Sequence, residues 1–164
     1  VKPDALAAGR LQSLLSTFFD QNPDVSATVR RRLSVAVREI ANNIAAHAKP
    51  DHLFCAVDRS TSTTNVILID DGDGVSGDLH APMPGLAAET GRGLPLARAM
   101  VTSVTYRRAA HQSLYHRGFW RSMGLAERTT SPLPSAPDWP MRGVPSLNVW
   151  LLGCEELGTT QKGI

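Results

Sequence analysis

With 164 residues, 42% of them hydrophobic and 20% charged, the chain has the size and composition of one soluble globular domain with a real core. A formal charge of +2 is too small to argue for nucleic acid, and the arginine run at 30–32 reads as a solvated helix face. No stretch approaches the ~20 apolar residues of a membrane span, VKPDALAAGR lacks a signal-peptide block, and Cys55 and Cys154 form no CxxC pair. A cytoplasmic protein with neither membrane nor nucleic acid as partner is therefore expected.

The first expected element in chain order is an amphipathic helix over residues 4–19, with Leu6, Leu11, Leu14, Leu15 and Phe18 as its apolar side. DQNPD breaks it. A second helix runs from about Ser26 to Ala48, with Val29, Leu33, Val37, Ile40, Ile44 and Ala48 as its seam, and Pro50 stops it. Two strands follow, over 52–59 and 64–70, joined by a polar turn; the second is apolar nearly throughout, as a central buried strand is. The next stretch, DDGDGVSGDLHAPMPGLAAETGRG, is too long for a plain connection and marks a functional or mobile loop. LPLARAMVTSV restarts a helix, with Pro95 tolerated in its first turn. SVTYRRA and SLYHRGFWRSM are expected to pair as a hairpin. From about Gly124 the chain contains TTSPLPSAPDWP, which reads as a linker, and then LNVWLLGC, one more strand. The expected division is a domain over 1–123 and a Pro-rich linker with C-terminal extension over 124–164, packed on that domain.

At 100° per residue, Glu39, Asn43 and His47 stack on one stripe about 90° around the second helix from its apolar seam, while Asn42 points to solvent. Polar residues flank buried helix faces constantly, so this stripe alone decides nothing. Three signals in order are more specific. The helix carries E-x-x-x-N-x-x-x-H, a strand then ends in D-x-G-x-G (Asp70, Gly72, Gly74), and a Gly-rich loop opens a helix through Gly91, Arg92, Gly93 and Leu94. The parts fit a nucleotide. A carboxylate at a strand end can accept from the exocyclic amine of adenine, and glycines admit close backbone approach. The amides of TGRGL, from Thr90 to Leu94, form an anion site at a helix start. An Asn oxygen can complete the shell of Mg²⁺, and a Glu one turn away can align or deprotonate a hydroxyl.

These residues resemble the GHKL ATPases, which include gyrase, histidine kinase and mismatch-repair ATPase domains. REIANNIAAHA looks like the N box, DDGDG the first glycine box and GRGL the second, over about residues 10–122. Small size and GRGLPLARAMVTSVTY look most like the anti-sigma factor serine/threonine kinases, bacterial switch proteins. The resemblance implies a two-layer α/β sandwich, its mixed and mostly antiparallel sheet covered on one face by helices. It implies ATP and Mg²⁺ as cofactors, and a protein partner of the anti-anti-sigma or sigma factor type. Glu39 would be the catalytic carboxylate, Asn43 the magnesium ligand and Asp70 the adenine reader. Gly72 and Gly74 would let the base come close; Thr90, Gly91, Arg92, Gly93 and Leu94 would embrace the phosphates under a mobile lid, and His47 would support them.

Two features depart from the family pattern. No Gly-Thr pair lies on the last expected core strand, and the tail beyond Gly124 is additional; it could cover the sheet, mediate a homodimer or wrap around the site. His52, His80, His111 and His116 have no metal-ligand spacing, and Lys2, Lys49 and Lys162 lie in no P-loop. Trp120, Trp139 and Trp150 read as packing residues. Two rival functions stand beside the serine/threonine kinase. One is the catalytic half of a sensor histidine kinase, for which no histidine before His47 supplies a phosphoacceptor. The other is a nucleotide-gated binding module without kinase activity.

Overall fold

The computed structural model describes residues 7–75, 78–85, 91–110, 114, 117–123 and 146–156. Helix α1 spans Ala7–Gln21. Its buried stripe is Leu11, Leu15 and Phe19, each four residues after the last and so on one face. Leu14, expected inside, is exposed, and Phe18 is only half-buried against the core. Leu6 lies outside the described residues.

Helix α2 spans Ala27–Asn43 and is capped by Ser26, whose side chain accepts from the Val29 amide at 3.2 Å. The expected seam, Val29 through Ala48, is buried at every position. The helix does not continue in one geometry to Ala48, however. Ile44–Ala48 is a π-helical turn, and Lys49 leaves it with a left-handed φ of 46°. The wider turn carries the Ala48 carbonyl to the Asp73 amide, which donates to it at 2.8 Å. The loop after the second strand is thereby fastened to the end of the helix.

Four strands form one sheet: β1 Leu53–Arg59, β2 Thr63–Asp70, β3 Ser103–Ala110 and β4 Ser146–Glu155, in the order β1-β2-β4-β3. Every neighbouring pair is antiparallel. Alternation gives the inner strands two apolar faces. Val66, Leu68, Trp150 and Leu152 meet the layer of α1 and α2, which is joined by α3 (Gly93–Met100). Ile67, Ile69, Leu147, Val149 and Leu151 meet Leu114, Phe119 and Met123 on the other side. The fold is an α/β sandwich as expected, with a wholly antiparallel sheet among the described strands.

One expectation needs correction. Residues 113–123 do not form the second strand of a hairpin with β3: Arg117–Ser122 is helix α4, and β3 pairs with β4. A strand would turn Arg121 to the same face as Phe119 and Met123, whereas the helix leaves Arg121 exposed and still packs the other two. The strand in LNVWLLGC, expected to pack on the domain, is part of its sheet. It lies between β2 and β3, buried from Leu147 to Cys154. Without it β2 and β3 have no common neighbour and both apolar faces lose their centre. A chain cut after Met123 is therefore expected to show no cooperative thermal transition by circular dichroism; a cooperatively folded fragment would mean that β4 is dispensable.

Candidate functional site

A cavity of about 260 Å³ opens between the end of α2, the loop after β2 and the start of α3. Of the residues singled out in the sequence, Asn43, His47, Gly74, Gly91, Gly93 and Leu94 line it. Ile44, Ala48, Val75, Pro95 and Trp150 give it an apolar body.

The polar stripe of α2 meets the start of α3 at Gly93. A Cβ at Gly93 would stand 3.2 Å from Glu39 Oε2 and 3.3 Å from Asn43 Nδ2, so only glycine brings the two helices this close without displacing those groups. Glu39 receives Arg38 on its other oxygen at 3.3 Å, a solvent-screened contact of small energetic weight. The Asn43 amide makes no hydrogen bond among the described residues. His47 is exposed at the rim, and Asn42 faces solvent as expected. The α3 helix begins without a side-chain cap; Pro95 has no N–H and the Leu96 amide donates to the Arg92 carbonyl, so the first-turn amides left over are those of Gly93 and Leu94, which both line the cavity.

Behind the cavity wall lies Asp70, 1% exposed. The two neighbouring acids have opposite environments because alternation turns them to opposite sides. Asp71 holds His52 through its amide and ring Nδ1, both at 2.8 Å. Burial opposes ionisation of Asp71, but these hydrogen bonds outweigh it and hold the carboxyl below its ordinary range. Asp70 faces inward. Its Oδ1 accepts from the Gly72 amide at 3.0 Å and from Asn148 Nδ2 at 2.8 Å, while its buried Oδ2 has no partner among the described residues. Burial pushes the Asp70 carboxyl up, against the lowering effect of those two donors.

Asp70 and Gly72 do not line the cavity; they sit one residue behind its wall. Gly72 packs against Ala48, whose carbonyl oxygen would collide with a Cβ there, and Gly74, at φ +85°, packs against Asn148. Both missing side chains are thus used by protein groups closing on one another. The Arg92 guanidinium donates to the Gly85 carbonyl at 2.8 Å and so reaches the loop over the cavity. Thr90 lies outside the described residues.

Asn148 and Tyr106 escaped the sequence reading, and Trp150 was read only as a packing residue. Asn148 and Trp150 are on β4, directly opposite Asp70 and Leu68. Tyr106 on β3 packs its ring 4.6 Å from that of Trp150 and donates to Asn148 Oδ1 at 2.9 Å. An asparagine in a run as apolar as LNVWLLGC was the one available signal.

A buried acceptor without a donor, an apolar cavity and uncapped amides at a helix start together suit a ligand with an N–H-bearing ring and an anionic tail. A family model for the histidine kinase-like ATPase domain matches residues 2–114. The chain belongs to this family. No curated protein matches it at a significant level. As a histidine kinase-like ATPase domain the chain is an ATP-binding module, and its N-box helix, strand-end acid and second glycine box all border or back one cavity. The match ends before β4, so Asn148 and Trp150 lie beyond the matched residues. No helix among the described residues is long and apolar enough to cross a membrane, and no three acidic, His or Cys side chains there gather as a metal centre.

The raised Asp70 carboxyl carries a sign. Its folded value lies above the unfolded one, so the charged form costs stability as pH rises above the ordinary carboxylate range, about pH 4. Without nucleotide, Asp70→Asn is expected to melt at or above the parent's temperature near neutral pH, with the gain vanishing in acid. A lower melting temperature at neutral pH would show that the buried charge is stabilised by groups other than those described.

Proposed function

We propose that the chain is an ATP- and Mg²⁺-dependent protein serine/threonine kinase of the anti-sigma factor type. It would phosphorylate, and reversibly bind, a regulatory partner protein of the anti-anti-sigma or sigma factor kind. The observation that carries this reading is the meeting of Glu39 and Asn43 with the start of α3 at Gly93. It puts a carboxylate and a carboxamide beside the helix start best suited to phosphate, while Asp70, with its unpartnered oxygen, sits behind the cavity wall.

The roles follow from position. Asp70 Oδ2 accepts from the adenine amine, the first-turn amides of α3 receive phosphate oxygens, and Asn43 would hold Mg²⁺, whose charge offsets that of the phosphates. Glu39, its side chain 20% exposed, is reachable by a hydroxyl from another protein. That hydroxyl oxygen bonds to the γ-phosphorus as the bond to the β–γ bridging oxygen breaks, and its proton passes to Glu39.

Glu39→Ala is expected to keep ATP affinity within a few-fold while cutting phosphotransfer by ~10² or more. Asn43→Ala should instead weaken Mg²⁺-dependent nucleotide binding, and Asn42→Ala should change neither. Transfer at the parental rate in Glu39→Ala would remove that residue from the chemistry.

The kind of label decides the reaction. Incubated with labelled ATP and the protein that copurifies with it, the chain should label that partner with an acid-stable phosphoester and leave itself nearly unlabelled. Acid-labile label would point to histidine chemistry. No label despite tight ATP binding would favour a nucleotide-gated binding module.

A further inference from the structure

We infer that the cleft between the loop of residues 78–85 and the second half of α3 is the docking site for an acidic side chain of a partner protein, with Arg98 as its receptor. The inference rests on the reading that the chain binds a protein partner, and it names the surface and the chemistry of that binding.

The cleft, of about 470 Å³, shares a wall with the nucleotide cavity. Ala81 of the loop and Pro95 of α3 line both, so this part of the loop stands between the two spaces. The two sides differ in charge. Asp78 lines the nucleotide cavity, and its Oδ1 accepts from the His80 amide at 2.8 Å. No carboxylate lines the cleft, whose permanent charge is Arg98 alone. Pro82, Met83 and Val104 give it apolar walls, and Met83 is 49% exposed.

Arg98 is only partly engaged. Its Nη1 donates to the Leu79 and Ala81 carbonyls at 3.3 and 3.4 Å, while Nε and Nη2 meet no acceptor among the described residues. Those two N–H groups are parallel, on one edge of the guanidinium, and match both oxygens of a carboxylate. The hold on Nη1 restricts the plane of the group before a ligand arrives. Thr102 adds a donor: its hydroxyl oxygen accepts from the Glu155 amide at 3.0 Å, and its proton goes to no described group.

An exposed guanidinium gains little from a free carboxylate, because water competes for both charges. A protein that carries the acid also brings apolar surface against Pro82, Met83 and Val104 and excludes that water. The occupant that fits is an Asp or Glu with an apolar neighbour on a protein surface. Pro95, in the cleft wall, belongs to the helix whose start at Gly93 meets Glu39 and Asn43, so a partner seated here rests on that same helix.

The test selects a phage-displayed library of random short peptides on the full chain without nucleotide, then measures the enriched peptide by calorimetry. Enrichment of Asp or Glu beside an apolar residue is expected. That peptide should bind ~10-fold more weakly to Arg98→Gln. Arg98→Lys, with the charge but not the fork, should fall between, and Arg31→Gln, which removes another exposed arginine, should change nothing. Replacing the peptide's acid by its amide should cost the same factor on the parent and nothing further on Arg98→Gln. The parent arm of that comparison holds even if the variant does not fold. With the partner labelled in the transfer reaction as substrate, Arg98→Gln should raise KM ~10-fold and keep kcat.

Peptides enriched without an acid, no enrichment at all, or equal affinity for the parent and Arg98→Gln would overturn the inference. An unchanged KM in Arg98→Gln would do the same and leave the kinase reading intact. An acidic peptide held through Arg98 by a chain that transfers no phosphate would support the docking site and count against the kinase.

Discussion

A carboxyl buried to 1% exposure at the end of an inner strand is the constraint around which this half of the molecule is arranged. An ionised or ionisable group so placed must have its lone pairs met by donors that cannot move away. Asp70 gets two, from the Gly72 amide and from Asn148 on the facing strand. Each has further consequences. Bringing the Gly72 amide back onto Asp70 folds the chain into a tight turn whose next amide, that of Asp73, caps the Ala48 carbonyl. Bringing Asn148 opposite Asp70 fixes the β2–β4 register, and with it the placement of Trp150 at the cavity.

The π-helical turn at Ile44–Ala48 belongs to the same arrangement. A regular α-helix would satisfy its carbonyls in a narrower spiral, and the seam residue Ala48 would lie differently relative to the loop. In the wider turn Ala48 stays buried, its carbonyl takes the Asp73 amide, and the absence of a side chain at Gly72 makes room for it. The helix that carries Asn43 and His47 and the strand that carries Asp70 are joined by this contact.

Local patterns made part of this legible in advance. The seam from Val29 to Ala48, the two strands before the glycine boxes and the restart of helix at Gly93 are all written in residue spacing, which is a local property. The glycine boxes were legible as motifs, though not in their use: the space at Gly72 is taken by Ala48, not left to a ligand. What could not be read was non-local. Spacing cannot tell that LNVWLLGC inserts between β2 and β3, because nothing in a strand's own pattern names its partner. The place of Asn148 was hidden with it. The mistaken hairpin had the same origin: Phe119 and Met123 share a face in either a strand or a helix, and only the fate of Arg121 separates the two.

The two carboxylates, Asp70 behind the cavity wall and Glu39 beside Gly93, differ in burial as their proposed tasks require. Discrimination between an amine and a carbonyl is strong only where water cannot fill in for the wrong partner, so the group that reads the base must be enclosed. Asp70 is. A group that takes a proton from a hydroxyl on a second macromolecule must instead be reachable, and Glu39, its side chain 20% exposed beside Arg38 and the start of α3, is. Exchanging the environments would disable both: an exposed reader would accept either base through water, and a fully buried base could meet no protein substrate. The gradient of burial along the cavity comes from the fold itself. Asp70 ends an inner strand roofed by α2, whereas Glu39 sits on the flank of that helix where Gly93 starts α3.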